Sequence, residues 1–216
     1  MSSASPSDHG PCRASLPVLR VATIAGGIGT SVNADQGSSG IGRLSTAGRE
    51  ATLAQLLDAR EKRAAKQKML IGKYGLPLIS FTVNMPGARK KTPLSGEIFR
   101  EGSLALLQEL ERNGRLPLHG ESAAPDTGYE GYFVVDAREE ALKIMMLQIE
   151  EKHPLGRLLD LDVIALDGKP LSRDALGYPR RTCLLCDEDA RLCARSGRHS
   201  LGELLRAIER MVKARL

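Results

Sequence analysis

Two aspartates, Asp160 and Asp162, stand two residues apart in the segment His-Pro-Leu-Gly-Arg-Leu-Leu-Asp-Leu-Asp-Val-Ile that runs from 153 to 164. In an extended chain both carboxylates point to one face, while Leu159, Leu161 and Val163 point to the other, toward a core. Neighbouring carboxylates repel each other and are costly to bury unpaired. A divalent cation offsets that cost, and Mg²⁺ is commonly held by one or two carboxylates together with substrate phosphates. Such a pair neutralises charge on a triphosphate and activates an attacking hydroxyl. Just upstream, Gly156 permits a close backbone approach to a phosphate, and Arg157 supplies a forked donor. The plainer account is a solvated strand face, since Asp-x-Asp pairs occur without any metal.

Basic residues gather after this segment. Arg173, Arg180 and Arg181 follow closely, with Arg195 and Arg198 beyond, and residues 173–216 carry ten basic against six acidic side chains. Guanidinium forks match phosphate oxygens, so a polyanionic nucleotide or phosphorylated cofactor is the expected ligand. Any single arginine here is better read as solvated surface, and the cluster tells more than its members. Interleaved with them are Cys183, Cys186, Cys193 and His199, in the spacing C-x2-C-x6-C-x5-H. Three thiolates and an imidazole are ligands that Zn²⁺ accepts tetrahedrally in structural sites. The second half of the pattern is not a standard pair, and buried reduced cysteines are the alternative.

These groups need elements to hold them. Thr52-Leu-Ala-Gln55 reads as a capping box opening a helix to about Lys73, which stops before Gly75 and Pro77. Residues 78–83 read as a strand ending at Pro86-Gly87, and Phe99, Ser103, Leu106, Leu107 and Leu110 form one stripe of a second helix. Short strands are expected at 116–121 and 131–135. Asp136 to Glu139 reads as another capping box, before a helix carrying Leu142, Met145, Met146 and Ile149 and ending at His153-Pro154. The aspartate strand is expected over 158–166, with a turn at Asp167-Gly168 and a return strand at 170–172. Ser200 to Glu203 caps a last helix bearing Leu204, Leu205, Ile208 and Val212. The middle of the chain therefore has the order β-α-β-β-α-β, that of the split βαβ or ferredoxin-like fold, with an extra helix at each end. The expected class is α+β, in a single domain over 49–216.

Composition bounds the rest. The 216 residues include 42% hydrophobic and 26% charged side chains, an ordinary balance for a globular chain. No apolar run approaches the roughly 18 residues of a membrane span, so no membrane partner is expected. The net charge of +5 is mild, and aromatics make up 3% of the chain, so nucleic acid is not the expected partner. Residues 1–48 hold nine Ser and eight Gly. They are expected to be a disordered extension, or the product of an upstream start codon, and the glycine run at 26–30 lacks the lysine and context of a phosphate loop. Leu16 to Ile28 lacks the pattern of a secretory signal, so a cytoplasmic chain with reduced thiols is expected.

Taken together, the 153–163 segment, Leu171-Ser-Arg173, Pro179-Arg-Arg-Thr-Cys-Leu-Leu-Cys186, Cys193-Ala-Arg-Ser196 and Arg198-His-Ser200 resemble the apo-citrate lyase phosphoribosyl-dephospho-CoA transferases, the CitX family. Phe81-Thr-Val83 with Pro86-Gly87, and the helix containing Arg60-Glu-Lys-Arg63, fit the same pattern. The resemblance covers Thr52 to Leu216. It implies attachment of the citrate lyase prosthetic group to a serine of that enzyme's acyl carrier protein, the gamma subunit. The implied donor is 2′-(5″-triphosphoribosyl)-3′-dephospho-CoA, and pyrophosphate is released. Under this reading Asp160 and Asp162 are the Mg²⁺ ligands and, with Arg157, the catalytic group. Gly156, Arg173, Arg180 and Arg181 serve the triphosphate, and a structural zinc falls to Cys183, Cys186, Cys193 and His199. Two rivals are a zinc-stabilised adaptor without catalysis, and a small RNA-binding sheet using Phe81, Tyr132 and Phe133.

Overall fold

The structure, a computed structural model, describes residues 45–215. The expectations for 1–44, the 26–30 glycine run among them, lie outside the described residues. Helix α1 (Leu53–Tyr74) opens on the expected capping box: the Thr52 hydroxyl accepts from the Gln55 amide, and the Gln55 side chain accepts from the Thr52 amide. It closes at Gly75, whose φ of 62° is a left-handed conformation that favours glycine. There follow β1 (Leu78–Val83), α2 (Pro93–Arg112), β2 (His119–Ala123), β3 (Glu130–Val134), α3 (Glu139–Lys152), a short 3₁₀ turn (Gly156–Leu158), β4 (Leu159–Ile164), α4 (Ala190–Ser196) and α5 (Leu201–Arg215).

The four strands form one antiparallel sheet in the order β2-β3-β1-β4, so β4 is an edge strand. One face of the sheet carries the larger core. Ile79 and Phe81 of β1, Phe133 of β3, and Leu159, Leu161 and Val163 of β4 pack there with Leu106 of α2, Met146 of α3 and Ile208 of α5. The opposite face carries a smaller cluster, Leu78, Tyr132, Val134 and Ile164, covered by Leu70 and Ile71 of α1. Phe81, Tyr132 and Phe133 are all buried, so none of the three is available to stack a base.

Three local expectations are corrected. The box at Asp136 to Glu139 does not form: α3 begins after Arg138 with no side-chain cap. Glu139 instead accepts from the Leu166 amide at 2.8 Å, so its carboxylate steadies the exit of β4. The return strand at 170–172 is reduced to one bridge, Ile164 with Pro170, beside a bond from the Leu171 amide to the Val163 carbonyl. Proline has no N–H to extend a ladder. Finally, β2 lies slightly later than expected, and residues 116–118 precede it.

Ser45 already belongs to the fold, because its carbonyl accepts from the Leu94 amide at 3.3 Å. Gly156 is buried where the 3₁₀ turn crosses the end of α3. A Cβ at this position would lie 2.5 Å from both the Ile149 and the Glu150 carbonyl oxygens. The close approach this glycine permits is to its own protein's backbone. Gly156→Ala is expected to cost about 1–3 kcal/mol through this overpacking. Urea unfolding of the variant checks it, and an unchanged midpoint would contradict the packing described.

Candidate active site

Antiparallel pairing lines up side chains in rows across the α1-facing side of the sheet. Val134, Leu78 and Ile164 make an apolar row, next to which Tyr132, Ser80 and Asp162, and then Glu130, Thr82 and Asp160, make polar rows. Helix α1 matches this gradient along its length. Its face toward the sheet reads Arg60, Arg63, Gln67, Leu70, Ile71 and Tyr74, spaced at i, i+3, i+7, i+10, i+11 and i+14. The apolar end packs over the apolar row. The polar end stands over the polar rows and leaves a cleft of about 250 Å³, with Arg60, Arg63 and Gln67 on the wall and Ser80, Thr82, Asp160 and Asp162 on the floor. Gln67 donates to the Ser80 hydroxyl at 2.9 Å, and Arg63 donates to Glu130 through Nε and Nη2 at 3.2 and 2.9 Å. Tyr132 donates to the other oxygen of Glu130 at 2.6 Å.

The two aspartates share this cleft, and the alternation along β4 sends its leucines into the core beneath them. Burial pushes the Asp162 carboxyl up to about 6, the charge on Asp160 adds to the rise, and Lys143 opposes it. Each carboxylate has a cation at its flank: Lys143 Nζ lies 3.9 Å from Asp162, and Arg181 lies 3.6 Å from Asp160.

The edge of β4 is held by helix α3. Leu161 directs its amide and carbonyl away from β1, toward an edge that would otherwise be open. The amide donates to Glu150 at 3.0 Å, and the carbonyl accepts from Lys143 at 3.1 Å. Glu150 is nearly sealed, with its side chain 3% exposed, and its charge is met by Arg173 at 2.9 Å and by Arg181. A buried carboxylate needs such partners, so the two arginines and the strand amide form one unit.

The other basic residues singled out in the sequence are distributed differently. Arg157 donates to the carbonyls of Thr182 and Cys183, tying the turn before β4 to the cysteine loop. Arg173 adds a bond to the Pro179 carbonyl at 2.8 Å. Arg180 is exposed, 3.8 Å from Asp174. Arg181 is thus the arginine of the C-terminal group that stands beside the aspartates. Arg60, Arg63 and Gln67 were not among the predicted site residues. Their spacing with the apolar stripe of α1 was visible, but a stripe that begins polar reads as solvated surface until the sheet beneath it is known.

A second constellation begins at Cys183, whose carbonyl Arg157 holds. Cys183 and Cys186 in a loop, Cys193 on α4 and His199 before α5 bring their donor atoms within 4.8 Å of one another. The Cys186 and Cys193 sulfurs are 3.9 Å apart, and His199 Nε2 is 3.2 Å from Cys186. Tetrahedral Zn²⁺ with bonds of about 2.3 Å to sulfur and 2.0 Å to nitrogen requires separations of about 3.8 and 3.5 Å. The donors therefore fit a structural metal of this kind. All four come from a stretch with little apolar core of its own, where a metal contributes folding energy directly.

Two outcomes are expected. The purified protein should carry one zinc per chain by elemental analysis, with Cys193→Ser losing the metal and melting earlier; a metal-free wild type would contradict this. The raised Asp162 carboxyl favours the folded state when protonated, so its penalty is absent below the ordinary carboxylate range and complete above pH 6. Without added divalent cation, Asp162→Asn should be more stable than wild type at pH 7, with the difference vanishing toward pH 4. A variant no more stable at pH 7 would show that the carboxylate is not confined as described.

Comparison with known proteins bears on the whole of this unit. The profile of the family described as apo-citrate lyase phosphoribosyl-dephospho-CoA transferase matches residues 51–215. A Vibrio cholerae serotype O1 protein named probable apo-citrate lyase phosphoribosyl-dephospho-CoA transferase is 44% identical over 161 residues, covering 74% of this chain and 90% of its own. Proteins with that name, without the qualifier, from Citrobacter koseri and Escherichia coli O139:H28 are 37% and 35% identical over 161 residues, each covering 74% of this chain and 88% of their own. The cleft, its aspartates and the cysteine cluster all fall within the matched residues, and the chain belongs to the apo-citrate lyase phosphoribosyl-dephospho-CoA transferase family.

Proposed function

We propose that this chain transfers the phosphoribosyl-dephospho-CoA group from 2′-(5″-triphosphoribosyl)-3′-dephospho-CoA to a serine of the citrate lyase acyl carrier protein. The family supports the reaction, and one observation carries the assignment of its centre: Asp160 and Asp162 share one cleft floor beneath a basic helix wall. In this reading the serine oxygen bonds to the phosphorus nearest the ribose. The bond from that phosphorus to the bridging oxygen of the departing pyrophosphate breaks, and the serine proton passes to one of the two aspartates. The protein's task is to position the two reactants and to balance the accumulating negative charge.

Asp160 and Asp162 offer hard oxygens, and the burial that raises Asp162, with the charge on Asp160 adding to it, is a cost that a divalent cation would offset, so the pair fits Mg²⁺. When bound, the ion would supply charge neutralisation on the phosphates. Arg181, fixed by Glu150, orients Asp160 from one side, and Lys143 does the same for Asp162. The sheet order and the β-α-β-β-α-β succession favour a ferredoxin-like split βαβ core, and the cysteine cluster a structural zinc. The acyl carrier is read as the protein partner and the cytoplasm as the compartment. Among the described residues, no helix is long and apolar enough to cross a membrane.

Incubation with purified apo-carrier and donor tests the proposal. The carrier should gain the mass of the phosphoribosyl-dephospho-CoA group, while Asp160→Asn and Asp162→Asn should lower the rate at least about a thousandfold without unfolding. An unmodified carrier with wild-type protein would overturn the transfer, and near-normal turnover by either variant would overturn the aspartate assignment.

A further inference from the structure

We infer that Arg60 of α1 is the residue that grips the departing pyrophosphate, a reading that rests on the proposed transfer reaction. A triphosphate brought to Asp160 and Asp162 adds several negative charges to a cleft whose floor is already acidic. Cations in reach must therefore be available to it. Among the described residues, four basic side chains border the aspartates or the cleft, and three are committed. Arg63 holds Glu130 through two bonds, the shorter 2.9 Å. Arg181 is bound to Glu150, with Asp160 at 3.6 Å. Lys143 is buried, bonded to the Leu161 carbonyl and set 3.9 Å from Asp162.

Arg60 differs from all of these. It lines the same cleft as the two aspartates, and among the described residues no carboxylate lies within ion-pair distance of it. It lies one helical turn before Arg63 on α1 and is exposed where Arg63 is half-buried, so its fork is open to an incoming anion. A guanidinium with no anionic partner offers its donors in the planar array that phosphate oxygens match bidentately. The ordinary account of an exposed helical arginine is a solvated charge. Lys62 on the same helix illustrates it, exposed and paired with Asp58 at 2.7 Å. Position in the cleft and the absence of a partner set Arg60 apart from Lys62.

The test measures two quantities on wild type, Arg60→Ala, Arg60→Lys and Lys62→Ala: the donor KM in carrier transfer, and the Kd for inorganic pyrophosphate with Mg²⁺. Arg60→Ala should weaken both about tenfold or more, with the carrier KM and the melting temperature unchanged. Arg60→Lys, which keeps the charge and loses the fork, should fall between, and Lys62→Ala should match wild type. If Arg60→Ala keeps both values, or if Lys62→Ala loses as much, the inference is wrong. A wild type that fails to modify the carrier would instead sink the transfer reading, while the pyrophosphate measurement would still score Arg60.

Discussion

The outward-facing peptide groups of Leu161 are the constraint on which the site depends. An edge strand with open amides and carbonyls slips, frays or pairs with another chain. Here two side chains seven residues apart on α3, Lys143 and Glu150, close that edge around one residue. The residues on either side of Leu161 are Asp160 and Asp162, so the clamp on the two peptide groups that flank Leu161 fixes the positions of both carboxylates. The same Glu150 draws in Arg173 and Arg181, which brings a guanidinium beside Asp160. The bonds that hold the fold together here also place the two aspartates, and the buried charges are met by strand amide and arginines rather than left unpaired.

A second consequence concerns the C-terminal segment. It has few buried apolar residues before α5, and its order comes from polar ties: Arg157 to the Thr182 and Cys183 carbonyls, Arg181 to Glu150, and the four-donor cysteine and histidine cluster. Arg181 sits two residues before the first cysteine. A metal in the cluster would therefore steady the loop that presents Arg181 to the aspartates, although none of its four residues lines the cleft. Gly156 contributes from the other side, letting the turn before β4 lie directly on the last carbonyls of α3.

Much of this was legible in the residues themselves. The alternation of Leu159 to Val163 revealed which face the aspartates share, and the Thr52 and Ser200 boxes marked two helix starts correctly. What stayed hidden depends on pairing between distant segments. Glu139 looked like a capping residue because its link to Leu166 spans 27 residues. Glu150 drew no notice in the sequence, since nothing local says that its carboxylate faces an edge strand and two arginines. Arg60, Arg63 and Gln67 had helical spacing, but only the register of β1 and β4 puts a polar floor beneath them. Conversely, Arg157, Arg173 and Arg180 drew attention by closeness in sequence to the aspartates, and the fold gives each a carbonyl or carboxylate of its own.

In the proposed reaction the Asp160–Asp162 cleft gathers a divalent cation and the pyrophosphate leaving group in one place. Anomalous diffraction from crystals of the wild-type protein grown with Mn²⁺ and pyrophosphate addresses it directly. A manganese peak coordinated by both carboxylates is expected, with pyrophosphate in the same cleft. Manganese bound elsewhere, or pyrophosphate seated away from these two residues, would contradict it.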